Sequence, residues 1–283
     1  MTATKVLAGA PIAAAIRSEA EAQAGALRRG GTVPVVAIVR AGSAPASDTY
    51  VRTLVKAAAI VGIEARLHDV VDAGDLRADL ELVGDDPAVH GVILQTPLPG
   101  GLRAADVAAA IPAAKDVDGA CPLSLGRLAA GLEAFAPATA SAVMELLAGY
   151  QIPVAGRRVT VIGRSTVVGK PLALLLLGAD ATVSVCHSKT VGLASMTRTA
   201  DVLVAAVGQA GLVGRAHVGP GAVVVDVGTN VTVDGTVVGD VDGAEVEGIV
   251  SARSPVPGGV GPVTTAVLLR NVVRAAWTAA GCA

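Results

Sequence analysis

In the stretch Val159 to Leu177, VTVIGRSTVVGKPLALLLL, a β-branched run leads into Gly163, Arg164, Ser165, Gly169 and Pro171. Glycines at such a turn let the backbone approach a pyrophosphate, and the free amides of a following helix present the positive end of its dipole. Pro171 suits a first helical turn, where its missing N–H would have no partner. The pattern is GxSxxxG rather than GxGxxG, so the strand before it and the helix after it carry the reading. The alternative is an ordinary glycine-rich strand-to-helix turn.

Sites for NAD usually place Asp or Glu about 20 residues on, to hold the ribose 2′-hydroxyl. That position here reads Cys186, His187, Ser188, Lys189. No carboxylate is present to repel a 2′-phosphate, and Arg164, Ser188 and Lys189 offer charge and donors. NADP is therefore expected rather than NAD. His187 reads as a strand-end residue with a satisfied hydrogen bond, not as a catalytic group.

Short β-branched runs alternate with longer Ala/Leu-rich helical ones, which predicts α/β structure with parallel strands. Strands are expected over Val33 to Gly42, in EARLHDV and in VHGVILQTPLP, with a helix over Ala46 to Val61 closed by Gly62. Four more are expected at Arg157 to Gly163, Ala181 to His187, Asp201 to Gly208 and Gly221 to Gly228. Helical crossovers are read at Pro171 to Gly178 and Ala194 to Thr199. The helix SAVMELLAGY leads into the dinucleotide strand and places a domain boundary near Pro137 to Glu145, while Val263 to Ala280 reads as a closing helix.

Composition narrows the function classes. A chain of 283 residues suits two medium domains. A net charge of −2 and 1% aromatic residues leave neither a basic surface nor stacking platforms for nucleic acid. Cys121, Cys186 and Cys282 are odd in number and far apart, without a CxxC pair or clustered histidines, so a reducing compartment and no metal are expected. Lys5 followed by VLAGAPIAAAI superficially resembles a signal peptide, but Arg17, Glu19 and Glu21 continue the same helical pattern, which favours a folded first helix. The apolar run Leu172 to Ala179 is far shorter than the roughly 20 residues that span a bilayer. A soluble, cytoplasmic protein with no membrane partner is expected.

Several runs together resemble the bifunctional methylenetetrahydrofolate dehydrogenase/methenyltetrahydrofolate cyclohydrolase family along nearly the whole chain. They are PASDTYV, GVILQTPLP, KDVDG, GRSTVVGKP, CHSKT, PGAVVVDVGTN, GDVDG and PVPGGVGPVTTA, in that order. Lys56, Lys115, Lys170 and Lys189, four of only five lysines, fall where the family also has lysine. The resemblance implies an amino-terminal α/β folate domain over residues 1–140 and a Rossmann-like doubly wound NADP domain over 141–262. It further implies that the segment 263–283 returns to the first domain, that the ligands lie in a cleft between the domains, and that the protein is a homodimer. It places Tyr50 over the pterin ring of a tetrahydrofolate substrate, Gln95 beside the reacting carbon and Asp118 on the pterin's amino-pyrimidine edge, where a carboxylate can accept two parallel hydrogen bonds. Gly163, Arg164, Ser165, Gly169, Ser188 and Thr229 would hold the cofactor, and Pro255, Gly258 and Gly259 would form a substrate-side loop. The structural alternatives are a core helix position for Tyr50 and a capped turn for Asp116 and Asp118.

One departure is pronounced. Four residues after its tyrosine the family has lysine, and this chain has Leu54; the second lysine, two further on, is Lys56. Position 56 is rotated by roughly 240° from Tyr50 on a helix, so Lys56 cannot stand in for an amine at position 54. Smaller departures are Ser124 for asparagine, and Ala138, Ala140 and Ala142 for cysteine, proline and glycine. The expected activity is NADP-dependent oxidation of 5,10-methylenetetrahydrofolate with the cyclohydrolase step weak or lost. The alternatives are a fully bifunctional enzyme producing 10-formyltetrahydrofolate and a non-catalytic folate- and NADP-binding relative.

Overall fold

The computed structural model describes residues 3–42, 45–72 and 74–282. In chain order the elements begin with β1 (Lys5–Val6), α1 (Gly9–Arg29), β2 (Val35–Ala41), α2 (Pro45–Val61), β3 (Glu64–Val70), α3 (Leu76–Asp85), β4 (Gly91–Leu94), α4 (Ala104–Ala108) and α5 (Pro122–Ala129). They continue with α6 (Ala138–Gly149), β5 (Arg158–Ile162), α7 (Gly169–Gly178), β6 (Thr182–Cys186), α8 (Leu193–Thr197), β7 (Val202–Ala205) and β8 (Val223–Asp226). The hairpin of β9 (Asn230–Val231) and β10 (Val237–Val238) precedes α9 (Gly243–Val246), β11 (Ala252–Arg253) and α10 (Val260–Ala279).

Two compact units result, one of residues 14–138 and 265–283, the other of residues 1–13 and 139–264. The first is built on a parallel sheet in the order β3-β2-β4. Its central strand, VVAIVRA, is buried at every residue but Arg40, as a continuous β-branched run between two parallel neighbours requires. Ala37, Val39, Val92 and Leu94 of the sheet pack with Leu76, Leu80 and Val83 of α3. The carboxy-terminal end of the chain belongs here: the Asn271 side chain donates to the Val117 carbonyl at 2.8 Å, and Arg274 pairs with Glu133.

The second unit has a six-stranded parallel sheet in the order β1-β11-β8-β7-β5-β6. The chain leaves β5 first for β6 on one side and then crosses to β7 on the other, which creates a topological switch point beside β5. Residues 1–13 fall in this unit, unlike the assignment of residues 1–140 to one domain. The reason lies in backbone pairing: Lys5 N–H donates to the Ser251 carbonyl at 2.9 Å and Leu7 N–H to that of Arg253 at 2.8 Å. The Tyr150 hydroxyl adds a bond to the Ala8 carbonyl at 2.9 Å. A two-residue strand carries no periodicity, so only its partner could identify it.

Most of the other expected strands occur with shorter bounds, and the helices α2, α6, α7 and α10 begin earlier than expected. The third amino-terminal strand ends at Leu94 rather than running through TPLP, because Pro97 and Pro99 bring no N–H to a ladder. Among the described residues no helix is long and apolar enough to cross a membrane.

Candidate functional site

At the end of β5 the chain turns sharply. Gly163 adopts φ +123°, and a Cβ there would lie 2.2 Å from the Ala206 carbonyl oxygen. A Cβ on Gly169 would lie 2.1 Å from the Gly163 oxygen, so both positions admit only glycine. The Ser165 hydroxyl accepts the Val168 N–H at 3.1 Å and the Gly169 N–H at 3.4 Å, which ties the turn to the first residue of α7. Arg164 and Ser165 are exposed. Among the described residues Arg164 has no ion pair that would tether it.

Strand β6 runs beside β5, with Ile162 in register with Cys186, so Ser188 follows on the same sheet edge as Gly163. Ser188 and Lys189 are exposed. His187 is occupied locally: its Nδ1 accepts the Lys189 N–H at 3.1 Å and its N–H donates to the Thr190 hydroxyl at 2.9 Å. Thr229, also exposed, follows β8 on that edge. Thus Gly163, Arg164, Ser165, Gly169, Ser188 and Thr229 all lie at the carboxyl ends of parallel strands, where open α/β sheets bind ligands.

Two buried carboxylates at this edge carried no assignment from the sequence. Asp226 ends β8, and Asp240 follows β10; they are 4% and 0% exposed. Their presence within the runs PGAVVVDVGTN and GDVDG was the available signal.

In the three-stranded unit, Tyr50 and Gln95 follow the carboxyl ends of the paired strands β2 and β4. The start of α2 is held by Arg40 on β2, which pairs with Asp48 one turn before Val51 and with Asp69 on β3 at 2.7 Å. Tyr50 remains 40% exposed. Partial desolvation, with the Asp118 carboxylate adding to it, pushes its phenol up to about 12. The Gln95 amide donates to the Thr96 carbonyl at 2.8 Å and leaves its oxygen available as an acceptor.

The pair Asp116 and Asp118 divides between the two readings. Asp116 is fully buried and accepts from the Ala120 N–H at 2.8 Å, the Cys121 N–H at 2.9 Å and the Ser124 hydroxyl at 2.5 Å, so it closes a turn. Ser124 therefore has a structural task. Asp118 is raised to about 7, by burial first and by the neighbouring Asp116 second, with the Ala138 N–H opposing the shift. It is half-buried, and Tyr50 feels its charge.

Leu54 is 1% exposed, one turn beyond Tyr50 on α2, whereas Lys56 is exposed. The side chain of Lys56 thus leaves the helix in a different direction from position 54. Pro255, Gly258 and Gly259 belong to the six-stranded unit, not to the unit of Tyr50, Gln95 and Asp118. Gly258 is exposed at φ +101° and its carbonyl accepts the Gly9 N–H at 2.8 Å; Gly259 is buried beneath Pro255. No group of three His, Cys, Asp or Glu able to hold a metal occurs among the described residues.

Residues 7–118 match the model of the tetrahydrofolate dehydrogenase/cyclohydrolase catalytic domain, and residues 137–280 that of the NAD(P)-binding domain of the same family. The chain is 58% identical over 247 residues to the bifunctional protein FolD of Parafrankia sp., covering 87% of this chain and 90% of that one. It is similar to the crystal structure of the bifunctional FolD dehydrogenase/cyclohydrolase of Campylobacter jejuni, with 39% identity and a TM-score of 0.94 over 97% of this chain and 99% of that one. It also resembles the Trypanosoma brucei dehydrogenase-cyclohydrolase, complexed with NADP and an inhibitor, at 35% identity and a TM-score of 0.92 over 100% of both chains.

Proposed function

The chain belongs to the tetrahydrofolate dehydrogenase/cyclohydrolase family, and on that premise we propose that it oxidises 5,10-methylenetetrahydrofolate to the 5,10-methenyl form with NADP, with the cyclohydrolase step weak or lost. The observation that carries the second half is Leu54, an alkyl side chain 1% exposed on the helix of Tyr50 while Lys56 is exposed. In this reading residues 14–138 bind the folate and the six-stranded unit binds the dinucleotide.

The turn at Gly163 and Gly169 fits a dinucleotide, since neither position has room for a Cβ and the turn leads into the amino-terminal, positive end of the α7 dipole. Arg164, Ser165 and Ser188 would hold the phosphates, with Thr229 beside them, and NADP when bound would supply the hydride acceptor. Tyr50 covers the pterin, Asp118 accepts from its amino-pyrimidine edge, and Gln95 orients the reacting carbon. Pro255, Gly258 and Gly259 form the substrate-side loop. Hydride loss from the methylene carbon is driven by the lone pairs of the flanking folate nitrogens, so the protein must align and dehydrate rather than take a proton. Hydrolysis of the methenyl cation instead needs an activated water and proton transfer, for which leucine offers neither proton nor lone pair. A homodimer in the cytoplasm completes the reading, supported by the family and by three free cysteines; light scattering tests the dimer.

Turnover is expected to prefer NADP over NAD. Arg164→Ala removes a charge-assisted contact to the 2′-phosphate and should cost about 1.5–3 kcal/mol of NADP binding while sparing NAD. An unchanged NADP/NAD ratio of kcat/KM in that variant would remove Arg164 from the site.

A further inference from the structure

We propose that Asp240, with Asp226 behind it, is a positioning residue for the cofactor: its buried carboxylate clamps the loops leaving β7 and β8 and so sets the shape of the dinucleotide edge. Three consecutive backbone N–H groups converge on it, Val207 at 2.7 Å, Gly208 at 3.0 Å and Gln209 at 2.8 Å. The fourth donor is the Asn230 side chain at 3.0 Å, from the first residue of β9 just beyond Thr229. One carboxylate therefore fastens the β7 exit to the β8 exit. Amides arranged in this way form an anion nest, and here the anion comes from the chain itself.

The clamp reaches the glycine turn by backbone contact. Ala206 immediately precedes Val207, donates to the Ile162 carbonyl at 2.8 Å and sets its own oxygen where a Gly163 Cβ would be. A shift of Val207 must move Ala206 against Gly163. Asp226 holds the clamp in turn: its Oδ1 accepts the Asp240 N–H at 3.0 Å and the Gly228 N–H at 2.9 Å, and its Oδ2 accepts the Val241 N–H at 2.9 Å. Six of the seven donors to the two carboxylates are backbone N–H groups, which cannot reverse their role, and among them Val207 and Gly208 meet one oxygen of Asp240 and Gln209 the other. An amide in place of Asp240 would turn an NH2 group toward N–H donors and release at least one of them. Gly228 and Gly239 leave no space for repacking, since a Cβ on either would fall within 2.3 Å of Asp240 or Asp226.

The inference rests on the dinucleotide reading of this edge, and its test separates the two. Titration of the unaltered protein with NADP alone comes first; absence of binding overturns the dinucleotide reading and the inference with it. If binding occurs, Asp240→Asn should weaken NADP about tenfold or more, the loss expected for a charge-assisted contact. The KM for the folate and its separately measured affinity should change less than about twofold. Asn230→Ala, which removes one donor and no part of the carboxylates, should give a smaller loss of the same kind and guards against misfolding of Asp240→Asn. Amide exchange at Val207 to Gln209 should be slow in the native protein and selectively faster in both variants. NADP affinity unchanged in folded Asn230→Ala, equal weakening of both ligands, or unprotected amides in the native protein would each overturn the clamp.

Discussion

Given NADP and 5,10-methylenetetrahydrofolate, the native protein is expected to reduce the cofactor and to accumulate the methenyl product, seen as two separate absorbance signals. A positioned acid–base group is typically worth about 10²- to 10⁴-fold in rate, so its absence should leave a gap of that size between oxidation and hydrolysis. Leu54 is 1% exposed, so a buried alkyl chain fills the position from which the amine would act. Leu54→Lys should recover part of the hydrolysis, limited because the new ammonium must be desolvated in a site built around an alkyl chain. Lys56→Ala should change neither rate, since that side chain is exposed. Hydrolysis by the native protein at the pace of its own dehydrogenase step would show that the lysine is dispensable here.

Asp118→Ala should weaken folate binding on the order of 10²-fold or more and leave NADP affinity intact, as expected when one partner of a hydrogen-bonded charge contact is truncated. Its titration adds a pH signature. The carboxyl is raised to about 7 in the folded chain from 3.8, chiefly by burial. Because the acid is more easily protonated folded than unfolded, this group's contribution to stability is full below pH 3.8 and is lost as pH rises through about 7. Substrate binding has the opposite preference, since only the carboxylate accepts two bonds from the pterin edge. Folate affinity should therefore fall as pH drops below about 7, approaching tenfold per unit. Asp118→Asn should flatten both dependences. Equal loss of folate and NADP in Asp118→Ala would instead identify a structural turn like that of Asp116.

The sequence determined by itself whatever depends on local pattern. β-branched runs and glycines placed the strands β2, β5, β7 and β8 and the turn at Gly163, because steric limits at a turn act on the residue itself. The exchange of lysine for leucine was equally legible, since helical phase follows from a 100° step per residue. The tertiary structure alone decided which strand neighbours which. Lys5–Val6 joins the six-stranded sheet only because Ala252–Arg253 offers an edge about 250 residues later, a pairing that no local period encodes. It also separated residues of one type by their surroundings. Asp116 and Asp118 are two apart in one motif, yet three donors meet the first, while burial beside that charge raises the second to about 7. Asp226 and Asp240 carried no assignment in the sequence. The clamp at Asp240 exists because backbone N–H groups 31 to 33 residues away converge on it where water is excluded, and convergence in space is a property of the fold rather than of the chain.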